Sequence, residues 1–262
     1  MRAYAAAIWQ CRYFWMSLVR MDLRTRYRRS VLGLGWSLLN PIAMTAVLCT
    51  VFHNLFKMDI EEYAPFLLSG LTLWNFLQAS ITQGCDCFYT AETYIRQYPT
   101  PLAIHPLRTV LGAAFHFSLS MCVVLVLTWC FQGFGNLPVL YSLVPSLILL
   151  FVLGWSLAIL TGLAGVFFPD MKHLLEIVLQ IVYYISPIMY KAEMLSSGDR
   201  GLGWLAEYNP VTWLMALIRE PILYGRCPSS SVYGVSLAIV CGVAGLATLA
   251  LVRLQRRLIF YL

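Results

Sequence analysis

Few side chains in this sequence could do covalent chemistry, and their spacing argues against it. Gly-Trp-Ser-Leu occurs twice, at Gly35–Leu38 and Gly154–Leu157, yet neither copy completes the G-x-S-x-G turn that presents a serine nucleophile. Cys85 and Cys87 stand one residue apart, too close for the C-x-x-C pairing of a zinc site, and all eight cysteines read as unpaired. A nucleotide-binding loop needs G-x-x-x-x-G-K-[ST], so that backbone N–H groups and a lysine cradle the phosphates. None of Lys57, Lys172 and Lys191 follows a glycine. Proton and sodium relays use ionisable groups at membrane depth, whereas Glu176, His116 and His53 each lack an acidic partner in their own apolar stretch. The chemistry left is recognition. Arg20, Arg24 and Arg28 recur every four residues, Glu92 and Arg96 are four apart, and aromatic residues make up 14% of the chain.

The elements that must position these groups are apolar. Of 262 residues, 60% are hydrophobic and only 11% charged, against about 25% charged in an ordinary soluble domain. Mean hydropathy is +0.73. So few charges cannot cover a soluble fold of this size, which excludes a disordered chain, a cytosolic enzyme and a soluble nucleic-acid binder. The fold class expected is an all-α membrane protein.

Gaps between charges place the spans. Twenty-seven uncharged residues separate Arg29 from Lys57, and 61 separate Arg108 from Asp170, interrupted by the turn-rich 132–138. With the gaps at Glu62–Asp86, Lys172–Lys191 and Arg226–Arg253, six transmembrane helices are expected, at 34–56, 64–84, 108–131, 140–167, 173–190 and 230–252. Tyr208–Ile218 is too short to cross. It reads as a re-entrant or interfacial helix that Asn209-Pro210 starts, one of two short helices in an outer cap at 191–225. Six crossings put both termini on one side. Calling that side cytoplasmic gives it 13 of the 18 basic residues. No cleavable signal peptide is expected in the arginine-studded start.

Residues 1–30 form the first unit of the expected domain plan, an amphipathic cytoplasmic helix lying at the membrane interface. Ile8, Cys11, Trp15, Leu18 and Val19 share one face and Arg20, Arg24 and Arg28 another, while Asp22 and Arg26 are spaced to pair. The arginines suit either an anionic lipid diphosphate or anionic headgroups in general. Residues 31–262 form the six-helix unit, with cytoplasmic loops at 86–104 and 167–173 and a cytoplasmic tail at 253–262.

Ahead of the first span the chain reads Asp22-Leu-Arg-Thr-Arg26-Tyr27-Arg-Arg-Ser30-Val-Leu32-Gly33-Leu-Gly-Trp36-Ser-Leu-Leu-Asn-Pro41. With Pro65, Gly70 and Trp74, with Glu92, Ile95-Arg96, Pro101 and Pro106-Leu107, and with Pro187, Asn209-Pro210, Arg219 and Gly225, this resembles the ABC-2 type exporter permeases that move polysaccharides, along essentially the whole chain. Two departures touch the loops: Leu102 stands where the family often has a basic residue, and Pro169-Asp170 where it often has Arg-Asp.

The resemblance implies a homodimeric permease in the bacterial inner membrane. Two separate ATP-binding cassette subunits carrying the ATP and Mg2+ would energise it, while this chain itself binds no cofactor, no metal and no nucleic acid. Its cargo would be lipid-linked polysaccharide: O-antigen, capsule or teichoic acid. Glu92, Tyr94, Arg96 and Pro101 in the first loop and Asp170 in the second would contact the ATPase, with Phe88 and Tyr89 helping to anchor a short coupling helix. Asn209, Pro210 and Arg219 would form an external gate. Trp36, Trp74, Tyr183, Tyr184 and Tyr190 are candidate channel residues, since aromatic rings stack on sugar C–H faces while Tyr and Trp also offer a polar tip; Trp36 and Tyr190 equally suit an interfacial aromatic belt. Competing readings are an exporter of lipid or drug, an enzyme acting on lipid-linked sugars through Glu193, Asp199, Glu207 and Glu220, and a passive channel.

Overall fold

The computed structural model describes residues 2–28, 33, 35–56, 59–98, 100–191, 204, 208–258 and 261, and among them it is helical without strands. Two short helices, α1 (Arg2–Gln10) and α2 (Arg12–Tyr27), precede α3 (Gly35–Phe56) and α4 (Ile60–Cys85). A one-and-a-half-turn helix, α5 (Glu92–Gln97), leads to α6 (Ile104–Gln132), and a 3-10 turn at Leu137–Ser142 leads to α7 (Leu143–Phe167). Then follow α8 (Met171–Ile185), α9 (Pro210–Leu223) and α10 (Ser230–Leu258). Arg29–Leu32 of the N-terminal motif lie outside the described residues, as does most of the cap before α9, with its Gly-rich turn and with Glu193, Asp199 and Glu207.

Among the described residues, four helical stretches are long and apolar enough to cross a membrane: Gly35–Asn54, Ile104–Gln132, Leu137–Phe167 and Ser230–Gln255. The other two expected spans differ from these in kind. Helix α4 is long, about 39 Å at 1.5 Å per residue, but Asn75, Gln78, Gln83 and two acids in its first turn dilute its apolar character. It is buried almost all round from Tyr63 to Leu77 and packs against α3, α6, α7, α8 and α9, which makes it the axis of the bundle. Helix α8 is only about 22 Å long, because Ser186 takes the extended backbone that a following proline demands and Pro187 cannot continue the helix. The charge gap that suggested 173–190 passed over that stop.

The α4–α7 contact is made by small residues. A Cβ added at Gly84 would lie 2.7 Å from Ala158 Cα, and one at Gly165 would lie 2.5 Å from the Cys85 carbonyl oxygen. At Gly162 it would meet Cys87 Sγ and the Gly84 carbonyl, each at 2.8 Å. Helices in lipid gain their association from such close backbone approach rather than from water exclusion. Gly162→Val is therefore expected to destabilise the chain by about 1–3 kcal/mol, read as a lowered melting temperature of detergent-purified protein. Gly112→Val, at a position with no atom within 4 Å of its Cβ, is the control that should leave the melt within about 0.5 kcal/mol of the parent.

One end of the bundle holds α1, α2, α5, the start of α6 and the end of α10. Asp22 accepts a two-pronged ion pair from Arg108 at the start of α6. The expected partner was Arg26, four residues along. Arg108 wins because its guanidinium fork meets both carboxylate oxygens across the helix contact. The Tyr4 hydroxyl accepts from the Ala103 N–H at 3.2 Å, and Phe14 meets Tyr94 of α5 edge-on at 6.0 Å. The expected lipid-facing stripe of α1 and α2 is thus turned inward, with Leu18 buried and Ile8, Cys11, Trp15 and Val19 half-buried. Trp9, Tyr13, Met16 and Met21 are the exposed large apolar residues there among the described residues. Arg20, Arg24 and Arg28 are exposed, as the pattern predicts. Helix α10 runs on to Leu258, so the tail begins as a helix that packs on Phe88 and Ile159 in a second apolar cluster.

Candidate functional site

Three helices, α3, α4 and α8, enclose a cleft of about 420 Å³ that gathers three of the five aromatic channel candidates. Trp74 and Tyr183 face each other with ring centroids 5.5 Å apart, and Tyr184 meets Tyr183 edge-on at 5.4 Å. Around them stand four carboxamides, Asn40, Asn75, Gln78 and Gln180. Each carboxamide offers two donors and an acceptor, so the cleft pairs flat apolar faces with exchangeable hydrogen bonds. These amides were missed from the sequence. Their signal is spacing: Asn75 and Gln78 sit three apart in an otherwise apolar stretch, and Gln180 sits four after Glu176 and three before Tyr183.

The other two aromatics go elsewhere. Trp36 is 56% exposed and lines a neighbouring cleft of about 410 Å³ between α3, α4 and α6, with Arg26, Asn75 and His116. There Ser37 Oγ and His116 Nδ1 are 3.0 Å apart. Asn75 lines both clefts. Tyr190 turns back onto α8, where its hydroxyl donates to the Ile185 carbonyl at 2.6 Å and the Tyr184 carbonyl at 3.3 Å. It caps carbonyls that the helix end leaves without partners, and it does not line the cleft.

At the opposite end from α5, the motif residues Gly70, Pro187, Asn209, Pro210 and Arg219 converge. Asn209 caps α9, accepting from the Val211 N–H at 2.9 Å, and Pro210 fills the first helical position. The Asn209 amide also donates to Ser186 Oγ at 2.9 Å. Arg219 is buried, and its guanidinium donates to the carbonyls of Pro187 at 2.8 Å, Ile188 at 3.0 Å and Phe66 at 3.3 Å, while lying 3.7 Å from the Phe66 ring centroid. Gly70 makes the space, since a Cβ there would sit 2.5 Å from Arg219 Nη2. Arg219 is therefore a clamp joining α4, α9 and the segment after α8. Tyr63 adds a bond to the Met189 carbonyl at 2.7 Å, and Glu62 pairs with Lys191 at 2.6 Å.

At the α5 end, the sequence places a charged helix and the structure forms one. Arg96 Nε lies 2.9 Å from Glu92 Oε1 on its outer surface. Phe88 is fully buried beneath it, and Tyr94 packs against Phe14. Tyr89 reaches the carbonyls of Gly165 and Val166, 3.4 Å away in each case, and Lys172 pairs with Asp86 at 2.5 Å. These contacts join the first loop to the second, where Phe168 and Asp170 are exposed. Pro101 is half-buried at the start of the turn into α6.

The sequence behind this helical bundle, with its aromatic and amide cleft, the Arg219 contacts at one end and the charged α5 at the other, has relatives among known proteins. The chain is 24% identical over 208 residues to the O-antigen export system permease protein RfbA of Klebsiella pneumoniae, covering 79% of each chain. It is 24% identical over 225 residues to the protein of that name from Myxococcus xanthus, covering 85% of each. It is also 25% identical over 215 residues to the polysialic acid transport protein KpsM of Escherichia coli, covering 80% of this chain and 81% of that one. The sequence profile of the ABC-2 type transporters matches residues 13–223, which takes in every element from α2 to the clamp on α9, and the chain belongs to that family.

Proposed function

We propose that this chain is the membrane subunit of an ATP-driven exporter that carries lipid-linked polysaccharide across a bacterial inner membrane. The observation that carries the reading is the cleft of Trp74, Tyr183 and Tyr184 ringed by four carboxamides, in a family member whose similar relatives are named for O-antigen export and polysialic acid transport. A sugar ring needs an apolar face and a dense set of hydrogen-bonding partners at once, and that cleft offers both.

The chain crosses the bilayer six times in this reading, with α4 and α8 as the second and fifth crossings and the extended segment after α8 completing the fifth. Supporting this, α4 and α8 join the same two ends of the bundle, as the Asp86–Lys172 and Tyr63–Met189 contacts record. Helix α9 is re-entrant, clamped by Arg219, and Asn209, Pro210 and Arg219 brace the outer gate. The α5 end faces the cytoplasm and holds both termini, in keeping with the excess of basic residues there. Two copies form the conduit. Two ATP-binding subunits holding ATP and Mg2+ dock beneath, engaged by Glu92, Tyr94, Arg96 and Pro101 and by Asp170. Arg20, Arg24 and Arg28 gather the lipid diphosphate at the cytoplasmic entrance.

Tyr183→Ala combined with Tyr184→Ala tests the cleft and leaves the buried Trp74 in place. The double variant should reach the membrane at parental levels and lose export of the polymer by at least about tenfold, the effect expected from two stacking contacts of about 1 kcal/mol each. Surface polysaccharide measured on cells carrying the partner ATPase is the readout. Export within twofold of the parent would remove the cleft from the path.

A further inference from the structure

We infer that the glycan carried by this chain is uncharged and that Glu176 sets this preference; the inference rests on the polysaccharide reading above. Among the described residues, Glu176 is the one formally charged side chain lining the cleft of Trp74 and Tyr183. It stands in the second turn of α8, with its side chain 49% exposed. Among the described residues, no cation lines the cleft. Its carboxylate lies 3.6 Å from His173 Nδ1, on a side chain that is itself 80% exposed. Lys172, one turn back on α8, is bonded to Asp86 at 2.5 Å and feels the Glu176 charge only secondarily, and Arg26 lines the neighbouring cleft with Trp36.

This arrangement discriminates by charge. A neutral sugar can donate its hydroxyls to the Glu176 carboxylate, a charge-assisted bond, while trading bonds with Asn40, Asn75, Gln78 and Gln180. A polyanionic glycan brings carboxylates or phosphates past the same oxygens between apolar walls that focus the repulsion. The cationic groups suited to an anion, Arg20 and Arg24 on the exposed face of α2 and Arg28 just past its end, are not among the residues lining the cleft. Anion recognition and glycan recognition are thereby separated in space. On this account the chain differs in cargo from its polysialic acid transporting relative, although the two share a fold and similar length.

The test uses the full chain in phosphatidylcholine nanodiscs at about 20 mM salt, where surface charges are least screened. Saturation-transfer NMR, which reads weak binding, compares maltoheptaose with an α2,8-linked sialic acid oligomer of the same length. The parent should bind the neutral probe at least about tenfold more tightly, the size of one like-charge contact in a partly wet site. Glu176→Gln should bring the two probes within about threefold, and Glu176→Lys should reverse the order. Equal or tighter binding of the sialic acid oligomer by the parent overturns the inference and leaves the polysaccharide reading standing. A neutral preference unchanged in Glu176→Gln overturns the role of Glu176. Transfer from neither probe overturns the polysaccharide reading and the inference with it.

Discussion

Arg219→Met should unfold the α9 end of the molecule. The substitution removes the donors that hold the carbonyls of Pro187, Ile188 and Phe66 and empties the space above Gly70. Buried carbonyls without partners cost about 1–3 kcal/mol each, and the ion is not replaced by a group of matching shape. A net loss of about 3–5 kcal/mol is expected, read as a melting temperature lowered by roughly 10 °C in detergent. Lysine should not rescue it, because a single ammonium cannot span carbonyls contributed by two separate chain segments. Gly70→Ala supplies an internal check. It should destabilise the parent, where its Cβ meets the guanidinium 2.5 Å away, and cost less in the Arg219→Met background. Strict additivity of the two changes would contradict the clamp.

The second large effect concerns α5, the helix proposed to contact the ATP-binding subunit. Glu92→Ala with Arg96→Ala removes an exposed i,i+4 ion pair, and such pairs contribute only about 0.3–0.5 kcal/mol to a fold. The chain should therefore melt as the parent does. Its pulldown of the ATP-binding subunit should nevertheless fall by at least about tenfold, with export lost in proportion. The separation is the point: stability is unaffected because Phe88 and Tyr94 anchor the helix from below, while docking suffers because the charged pair is the surface presented outward. Pulldown and export both unchanged would remove α5 from the contact.

How far the sequence carried the argument depends on which physical signal each part left. Charge gaps mark hydrocarbon spans because ions are expelled from them, so α3, α6, α7 and α10 were readable within a few residues. Helix α4 was readable as a long helix, expected at 64–84 and formed over Ile60–Cys85, yet its place at the axis was not, since burial by protein and burial by lipid select similar residues. The premature end of α8 was written in Ser186-Pro187, and a count of charges alone could not see it. Motif positions such as Gly70 and Arg219 stood out as types, while the reason for them, a guanidinium passing over a missing Cβ, needs the two helices side by side. The same holds for Asp22, whose partner Arg108 lies 86 residues away. Tyr190 shows the limit for aromatics. Its ring matched a channel residue by position, and its hydroxyl proved to serve the end of α8. The carboxamides of the cleft were overlooked because an isolated Asn or Gln in an apolar run carries little signal until its neighbours on the helical face are paired with it.

The central claim is that this chain is a conduit without a motor of its own. Reconstitution in sealed vesicles with and without the ATP-binding subunit, following nucleotide hydrolysis and delivery of lipid-linked polymer across the bilayer together, tests it most directly. The account predicts no hydrolysis and no delivery from the chain alone, and both, locked to one another, once the second subunit and Mg2+ with ATP are supplied. Hydrolysis or delivery by the solitary chain would contradict it.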